Sequence, residues 1–384
     1  MRLIFTSLVS HGHLYPLLPL AVAARDAGHD VLFATGEDMR PVVEKAGLAW
    51  ESAGFGMREA FASFFGPDAP PRDPTAPPES FYPVIGQVFG NVLPRRFVAD
   101  LTPLLERHRP DLVVYESGNA GGAIAARLAG IPAIGHGFGR VSPGEVMDII
   151  NGHIEDYANE IGVDGVKLTS FGDPVIDICP ESVQSPDFLA ETNRIPLRPV
   201  GWAEPGDLPA GVVGRDKSRP LIYLTLGTAF GDEGVLKRAI AGLARLEADV
   251  VVAAGPTVEP AQLGEVPANV RVEAWVPQTE LLPHVDLVVH HGGSGTTLGA
   301  FGAALPQLVL PQGADQFTNA EAVVAAGVGG QLIGAEGTED AIFEQSRKLL
   351  ADDGVRAAAR KLADEVAAMP SPAEVAARLP EFAG

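Results

Sequence analysis

A short apolar strand followed at once by a glycine-rich turn and a helix is the feature that most constrains the fold. Residues 286–289 (DLVV) form an unbroken apolar run, which is typical of a strand buried in a parallel sheet. The next residues, 290–297 (HHGGSGTT), contain glycines and lead into a short helix that we expect to begin at Thr296. A second apolar run, 308–310, follows that helix. This order predicts a βαβ unit, and therefore an α/β fold with parallel strands.

The same turn is predicted to bind an anion, most naturally a diphosphate. Glycines let a backbone approach its ligand closely, and the first N–H groups of a helix have no partner within the helix. The helix dipole also favours negative charge there. The imidazole of His291 would add a donor at the end of the strand. The glycine spacing differs from a P-loop and from G-x-G-x-x-G, so a turn in which the glycines serve packing alone is the alternative.

Length, charge and cysteine content limit the class of protein. A chain of 384 residues exceeds one ordinary hydrophobic core, so two domains are expected. The net charge of −21 argues against nucleic acid or an anionic membrane as a partner. The single cysteine, Cys179, excludes an internal disulfide framework. No apolar run reaches the ~18 residues of a membrane span, and no signal peptide is visible. We expect a cytoplasmic protein, with monomer and homodimer both open.

Two polar residues follow strands in the first half of the chain. Residues 3–6 predict a strand, a helix ends at Gly28, and 30–34 predict the next strand. A later apolar strand, 111–115, ends in Glu116, and His13 follows the first strand. Parallel sheets bind ligands at the carboxyl ends of their strands. If the two strands are neighbours, the Glu116 carboxylate could reach the His13 imidazole.

Residues 55–97 break the regular alternation of strands and helices. Aromatic residues are interleaved there with prolines, and we expect a long irregular segment, which is usually functional or mobile. Its aromatic rings suggest the wall of a pocket for an apolar ligand; a lid that packs only on its own domain is the alternative. The candidate rings are Phe55, Phe61 and Phe81, together with Phe138 from the loop after His136.

The chain is predicted to divide near residue 200. Prolines and glycines crowd 201–219, which we interpret as a linker between a first domain, 1–200, and a second domain, 220–368. The last segment, 369–384, is expected to form a helix that packs back on the first domain. A second series of predicted strands lies at 221–225, 250–253, 270–272, 286–289 and 307–310.

These residues together resemble a known family, the bacterial GT-B glycosyltransferases of glycosyltransferase family 1 that decorate antibiotics and other natural products. The resemblance is carried in order by Gly12-His13 with Pro16, by 275–278 (WVPQ), by 290–297, by Asp315-Gln316 and by 327–329 (GVG). It implies two Rossmann-like doubly wound domains that face each other across a cleft, with the acceptor on the first and a nucleotide sugar on the second. The implied acceptor is a large apolar aglycone such as a polyketide, macrolide, enediyne or peptide.

The resemblance also implies roles for particular residues. His13 would be the base that takes the proton of the acceptor hydroxyl. Its carboxylate partner, usually an aspartate, is here Glu116, which is one methylene longer. Trp275 would stack on the nucleobase, and Asp315 and Gln316 would hold sugar hydroxyls. The full implied donor-binding set is Thr228, Trp275, Val276, Gln278, His291, Gly293, Ser294, Gly295, Thr296, Asp315 and Gln316.

One departure from the family pattern bears on the donor. Many relatives that use uridine donors carry a glutamate that meets the ribose hydroxyls at the position of Gly299. Its absence favours a 2′-deoxy nucleotide, and hence a TDP-sugar as co-substrate. No Asp-x-Asp occurs in the chain, so we expect a metal-independent, inverting hexosyltransferase with no cofactor. Two alternatives stay open: a nucleotide-sugar epimerase and an inactive auxiliary partner of a glycosyltransferase.

Overall fold

The chain forms two compact units. The computed structural model describes residues 1–66, 78–141, 144–163, 172–202, 206–215, 218–228 and 231–384. The N-terminal unit comprises Met1–Ile178, Ser185–Leu197 and Pro370–Gly384. The C-terminal unit comprises Cys179–Gln184 and Arg198–Met369. The predicted first domain, 1–200, therefore contains two short stretches that group with the C-terminal unit.

Each unit is built on one sheet of parallel strands. The strands are β1 (Arg2–Thr6), β2 (Asp30–Thr35), β3 (Ala49–Ser52), β4 (Leu112–Glu116), β5 (Ala133–His136), β6 (Val175–Asp177), β7 (Arg194–Pro196), β8 (Leu221–Thr225), β9 (Asp249–Ala253), β10 (Val270–Glu273), β11 (Leu287–His290), β12 (Gln307–Val309) and β13 (Gly329–Gln331). The N-terminal sheet has the order β3-β2-β1-β4-β5-β6-β7, and the C-terminal sheet has the order β10-β9-β8-β11-β12-β13. Every pair of neighbouring strands among them is parallel.

Helices connect these strands. They are α1 (His11–Leu14), α2 (Leu18–Asp26), α3 (Arg40–Lys45), α4 (Met57–Phe65), α5 (Tyr82–Gln87), α6 (Leu93–His108), α7 (Ala120–Leu128), α8 (Glu145–Glu160), α9 (Pro186–Glu191), α10 (Glu233–Leu243), α11 (Gln278–Leu281), α12 (Ser294–Gly302), α13 (Gln316–Ala325), α14 (Glu339–Ala351), α15 (Asp353–Ala368) and α16 (Pro372–Arg378). In the described ranges, none of them is long and apolar enough to cross a membrane.

This topology confirms the predicted fold class of two Rossmann-like α/β domains. In both sheets the strand order reverses next to the first strand of the unit, between β1 and β4 and between β8 and β11. Such a reversal leaves a crevice at the carboxyl ends of the two strands, where doubly wound proteins bind ligands. The residues that follow these four strands are therefore the candidates for a ligand-binding site.

The unbroken apolar runs arise because both faces of the sheet are covered. In β8, Ile222 and Leu224 enter one hydrophobic cluster, while Leu221 and Tyr223 enter the cluster on the other face. All residues of β8 and β11 are buried. A sheet that is buried on both faces needs apolar residues at every position, which is why these strands show no alternation.

The C-terminal helix α16 belongs to the N-terminal unit and packs against α2. Ser371 and Glu374 form a capping box at its start, and Pro372 occupies its first turn, where no N–H donor is needed. Val375 and Ala376 are fully buried.

Two expectations about local structure were wrong. The described part of 55–97 is helical and not irregular, because Pro83 and Pro94 lie in the first turns of α5 and α6, where proline is tolerated. Residues 67–77 of this segment lie outside the described residues. The helix after β11 begins at Ser294 and not at Thr296.

Candidate active site

His13 and Glu116 meet at the reversal of strand order in the N-terminal sheet. His13 lies on α1 directly after β1, and Glu116 is the last residue of the neighbouring strand β4. Nδ1 of His13 is 3.1 Å from Oε2 of Glu116. The Glu116 side chain is fully buried, whereas 21% of the His13 side chain is exposed. The predicted pairing is thus present, with the imidazole at the surface and its carboxylate beneath.

The backbone after β4 holds the second oxygen of Glu116. The N–H of Gly118 donates to Oε1 of Glu116 at 2.5 Å. The N–H of Asn119 donates to the Glu116 carbonyl at 2.7 Å, and the Asn119 side chain accepts from Gly122 N–H as the N-cap of α7. The carboxylate is therefore fixed by a tight turn on one side and contacts the imidazole on the other.

A second histidine lies beside this pair. His136 on β5 is the register partner of Glu116 and is fully buried. Burial lowers the pKa of His136 to about 4, against the opposing effects of the Gly137 carbonyl and the Glu116 charge. Its Nδ1 lies 2.7 Å from the Gly137 carbonyl oxygen, to which Nδ1–H donates. His136 is neutral at pH 7 and adds no positive charge next to Glu116.

The pair of His13 and Glu116 suits proton abstraction. A carboxylate on Nδ1 fixes the tautomer in which Nε2 accepts a proton, and it stabilises the imidazolium that results. The burial of Glu116 keeps water from screening this interaction.

The four predicted acceptor-binding rings lie in three different contacts of the N-terminal unit. The Phe138 ring centroid is 4.8 Å from that of His13. Phe61 and Phe81 are stacked with centroids 5.9 Å apart, and Phe65 stacks on Phe81 at 6.4 Å. The guanidinium of Arg96 lies over Phe55, 5.3 Å from its centroid. Phe138 therefore contacts His13 directly, and the other rings are half-buried.

In the C-terminal unit, the first histidine of the glycine-rich turn is structural. Gly292 N–H donates to Nδ1 of the fully buried His290 at 3.1 Å. The ring proton must then be on Nε2, which donates to Oε1 of Gln307 at 2.8 Å. Burial, assisted by the neighbouring His291, lowers the pKa of His290 to about 3. This neutral ring joins β11 to the start of the turn.

The second histidine, His291, is held between two glycines. A Cβ atom on Gly227, which follows β8, or on Gly293 would overlap the His291 ring. Burial lowers the pKa of His291 to about 4, while Asp315 and the Thr225 carbonyl act in the opposite direction. At pH 7 His291 is therefore neutral, and its ring has a hydrogen bond to the Thr225 carbonyl.

The amides of the predicted diphosphate site are not equivalent. Thr296 N–H already donates to the Gly293 carbonyl at 3.1 Å, and the Thr296 hydroxyl donates to Gln278 Oε1 at the same distance. The amides of Ser294 and Gly295, in the first turn of α12, are those that the helix itself cannot bond. These two amides are therefore the ones in the turn that are left without a partner inside α12.

Asp315 and Gln316 connect the neighbouring loop to this turn. Oδ2 of Asp315 accepts from the Ser294 hydroxyl at 2.8 Å and from Asn319 Nδ2 at 2.9 Å. Oε1 of the buried Gln316 accepts from the backbone N–H groups of Gln312 and Gly313. Their predicted contact with sugar hydroxyls stays a prediction.

The remaining donor-binding candidates differ in exposure. Trp275 is 47% exposed, with the edge of its indole near Gly206, so one aromatic surface is open to a ligand. The Val276 side chain is buried in the core, so any contact with a nucleotide would come from its backbone. Thr228 is exposed after β8. Within the described ranges, no three His, Cys, Asp or Glu side chains are grouped as a metal site.

Three supporting residues were missed by sequence reasoning. Gly118 binds and makes room for Glu116, Gln307 pairs with His290, and Asn319 joins Ser294 to Asp315. Gly118 and Gln307 carry no recognisable motif, because their roles depend on contacts that form only in the folded chain. Asn319 lies three residues after Gln316, and its contacts likewise form only in the folded chain.

The chain matches both domain models of one known protein family. Residues 22–227 match the N-terminal domain model of the erythromycin biosynthesis protein CIII-like family, and 237–382 match its C-terminal domain model. The chain is 36% identical to L-demethylnoviosyl transferase of Streptomyces niveus over 98% of this chain and 97% of that protein.

Solved structures show the same architecture. The glycosyltransferase SnogD from Streptomyces nogalater is 30% identical, with a TM-score of 0.79 over 100% of this chain and 99% of that one. The glycosyltransferase SsfS6 of Streptomyces sp. SF2575, complexed with thymidine diphosphate, is 29% identical, with a TM-score of 0.80 over 99% of both chains. The chain therefore belongs to the bacterial natural-product glycosyltransferases of the GT-B fold, within the erythromycin biosynthesis protein CIII-like family.

Proposed function

We propose that this chain is an inverting, metal-independent glycosyltransferase that moves a (deoxy)sugar from a TDP-sugar to a hydroxyl group of a large apolar aglycone. The observation that carries the proposal is the 3.1 Å contact between His13 and Glu116 at the reversal of strand order. In a glycosyltransferase, a partly exposed imidazole on a buried carboxylate is the group best suited to activate an acceptor hydroxyl.

The chemical step follows from this pair. His13 Nε2 takes the proton of the acceptor hydroxyl while the acceptor oxygen bonds to the anomeric carbon, and the bond from that carbon to the diphosphate breaks. Glu116 stabilises the imidazolium that forms. A single displacement of this kind inverts the anomeric configuration. General base catalysis contributes a rate factor of about 10²–10⁴.

The C-terminal unit supplies the groups that stabilise the leaving diphosphate. The amides of Ser294 and Gly295 lie at the positive end of α12, and the neutral ring of His291 lies against the adjacent Gly293. Donors that are already in place as negative charge develops are usually the largest catalytic contribution. These donors can serve the diphosphate without a divalent cation.

One feature of the chain supports a nucleotide donor in general, and another supports thymidine over uridine. Trp275 presents an open indole surface, which suits a nucleobase, and Gly299 brings no carboxylate to the ribose. The related glycosyltransferase SsfS6 has been solved with thymidine diphosphate. The half-buried rings of Phe61, Phe65 and Phe81 support an apolar aglycone.

Nucleotide binding is the first test. Thermal unfolding would be followed with saturating TDP, UDP, GDP or ADP, each with EDTA. A nucleotide at ~100 times its Kd should stabilise the protein by ~2.7 kcal/mol. We expect the largest shift with TDP. A larger shift with UDP would refute the donor assignment, and the absence of any shift would favour the inactive auxiliary partner.

Turnover is the second test. TDP-α-D-glucose would be supplied with hydroxylated polycyclic aromatic and macrolactone acceptors, in EDTA, and products would be identified by mass spectrometry and NMR. We expect β-linked products. His13→Gln should lower kcat by about 10²–10⁴ and leave TDP binding intact. The matched control is His29→Gln, at the amino end of β2, away from the site. An α-linked product would refute inversion, and conversion of the donor sugar without any acceptor would favour the epimerase.

A further inference from the structure

Glu116 is held in an unusually confined position. Its backbone is fixed because β4 pairs with β1 on one side and with β5 on the other. Its side chain then folds back over the turn that follows, so that Oε1 accepts from Gly118 N–H at 2.5 Å and Oε2 reaches His13. The position of the carboxylate is therefore set by the side chain of Glu116 and by the residue two positions later.

Position 118 has no room for a side chain. A Cβ atom there would lie 2.9 Å from Oε1 and 3.2 Å from Oε2 of Glu116, and 3.4 Å from Cε1 of His13. The first distance is shorter than real Cβ contacts show. Gly118 is not among the residues with positive φ, so its backbone conformation does not itself require glycine. The requirement is for space beside the carboxylate.

We propose that Gly118 is the positioning residue that matches this active site to a glutamate in place of an aspartate. Its missing side chain makes room for the longer carboxylate to fold back, and its N–H group holds that carboxylate against His13. An aspartate at position 116, one methylene shorter, would not extend over residue 118 in the same way. The identities of residues 116 and 118 are therefore coupled. This inference rests on the proposed role of His13 as the base.

The coupling can be measured on the free enzyme without any substrate. A nearby carboxylate favours the charged form of an imidazole, so displacing it should lower the pKa of His13. NMR titration of the histidine Cε1–H signals in the full-length chain would give this pKa, with the His13 signal assigned by its loss in His13→Gln. The Glu116→Gln variant gives the reference pKa of His13 in the absence of a neighbouring carboxylate.

We expect Gly118→Ala to move the His13 pKa most of the way to the Glu116→Gln value. In the Glu116→Asp background, the same Gly118→Ala change should have little effect. The matched control is Gly152→Ala on α8, where a Cβ meets no atom within 4 Å, and it should leave the pKa unchanged. If Gly118→Ala alone fails to fold, the coupling predicts that Glu116→Asp/Gly118→Ala folds, and failure of both variants would overturn it.

Turnover gives a separate readout. Gly118→Ala should lower kcat by about 10- to 100-fold while the KM for the nucleotide sugar stays the same, because a misplaced catalytic group affects the chemical step. An unchanged His13 pKa in Gly118→Ala, or equal shifts in the wild-type and Glu116→Asp backgrounds, would overturn the proposal. If the pKa shifts occur but Glu116→Gln turns over normally, the positioning stands and the catalytic role of the pair fails.

Discussion

His290 and Gln307, on the neighbouring strands β11 and β12, are joined by a 2.8 Å hydrogen bond in a region that water does not reach. Because Gly292 N–H occupies Nδ1 of His290, the Nε2–H of the ring has to point at Gln307. The ring orientation, and with it the start of the glycine-rich turn, depends on an acceptor in the next strand. The turn that we propose to bind the diphosphate is thus held by a neutral polar pair.

Gln307→Leu should weaken nucleotide binding, although Gln307 is not among the residues that we propose to contact the nucleotide. The substitution leaves the Nε2–H of His290 buried and unpaired, which costs about 1–3 kcal/mol of stability and frees the ring to turn. We expect TDP affinity, measured by calorimetry, to fall about tenfold. Gln345→Leu on α14 serves as the matched control and should bind TDP normally. Equal TDP affinity in Gln307→Leu and the control would show that the pair does not support the site.

Trp275→Ala should reduce TDP affinity by more than any other single substitution outside the glycine-rich turn, residues 290–297. Stacking of a base on an aromatic ring contributes about 1–3 kcal/mol, or about 10- to 100-fold in Kd. The indole is 47% exposed, so its removal leaves the core intact. Trp275→Phe keeps a ring and should retain most of the affinity. A TDP affinity that is the same in Trp275→Ala, Trp275→Phe and wild type would exclude Trp275 as the platform for the base.

Gly299→Glu should shift the donor preference towards uridine nucleotides. A Cβ at this position would lie 3.0 Å from Leu282 Cδ1 and 3.6 Å from Gln278 Nε2, so the new side chain leaves α12 towards α11. A carboxylate there can accept from the 2′-hydroxyl of uridine diphosphate, which a deoxyribose lacks. We expect the ratio of UDP to TDP affinity to rise about tenfold. Gly299→Gln controls for size, and a rise of equal size in that variant would show that the charge is not responsible.

The central strands were predictable because they contain unbroken apolar runs. The strands β3, β6, β7 and β13, which lie at or next to the edges of the sheets, contain only three or four residues and were missed. A run of that length carries too little pattern to separate a strand from a loop, and its pairing is decided by the neighbouring strand. These strands are identified by their hydrogen bonds to neighbouring strands in the folded sheet, and the sequence alone does not show that pairing.

The candidate pair of His13 and Glu116 could be predicted because both residues lie at the carboxyl ends of strands, which share one edge of a parallel sheet. The roles of Gly118, Gln307 and His136 could not, because each is defined by a contact across the sheet or across a tight turn. Local pattern shows which residues reach an edge of the sheet. It does not show which polar groups satisfy one another beneath that edge.

Acidification should destabilise the N-terminal unit through His136. The pKa of this histidine is lowered from 6.5 to about 4 in the folded chain, so the unfolded chain binds more protons between these values. Stability is therefore fully present above pH 6.5 and falls as the pH drops towards 4. Since one pKa unit corresponds to 1.36 kcal/mol, the loss amounts to about 3 kcal/mol by pH 4.

Hydrogen exchange of the β4 and β5 amides, corrected for the intrinsic effect of pH, would measure this loss between pH 7.5 and 4.5. His136→Asn removes the titrating group and keeps an amide donor near the Gly137 carbonyl, so its protection should depend less on pH. Ile176→Val, at the register partner of His136 on β6, controls for a small loss of packing and should keep the wild-type dependence. If His136→Asn and wild type lose protection equally on acidification, the acid sensitivity of this sheet comes from another group.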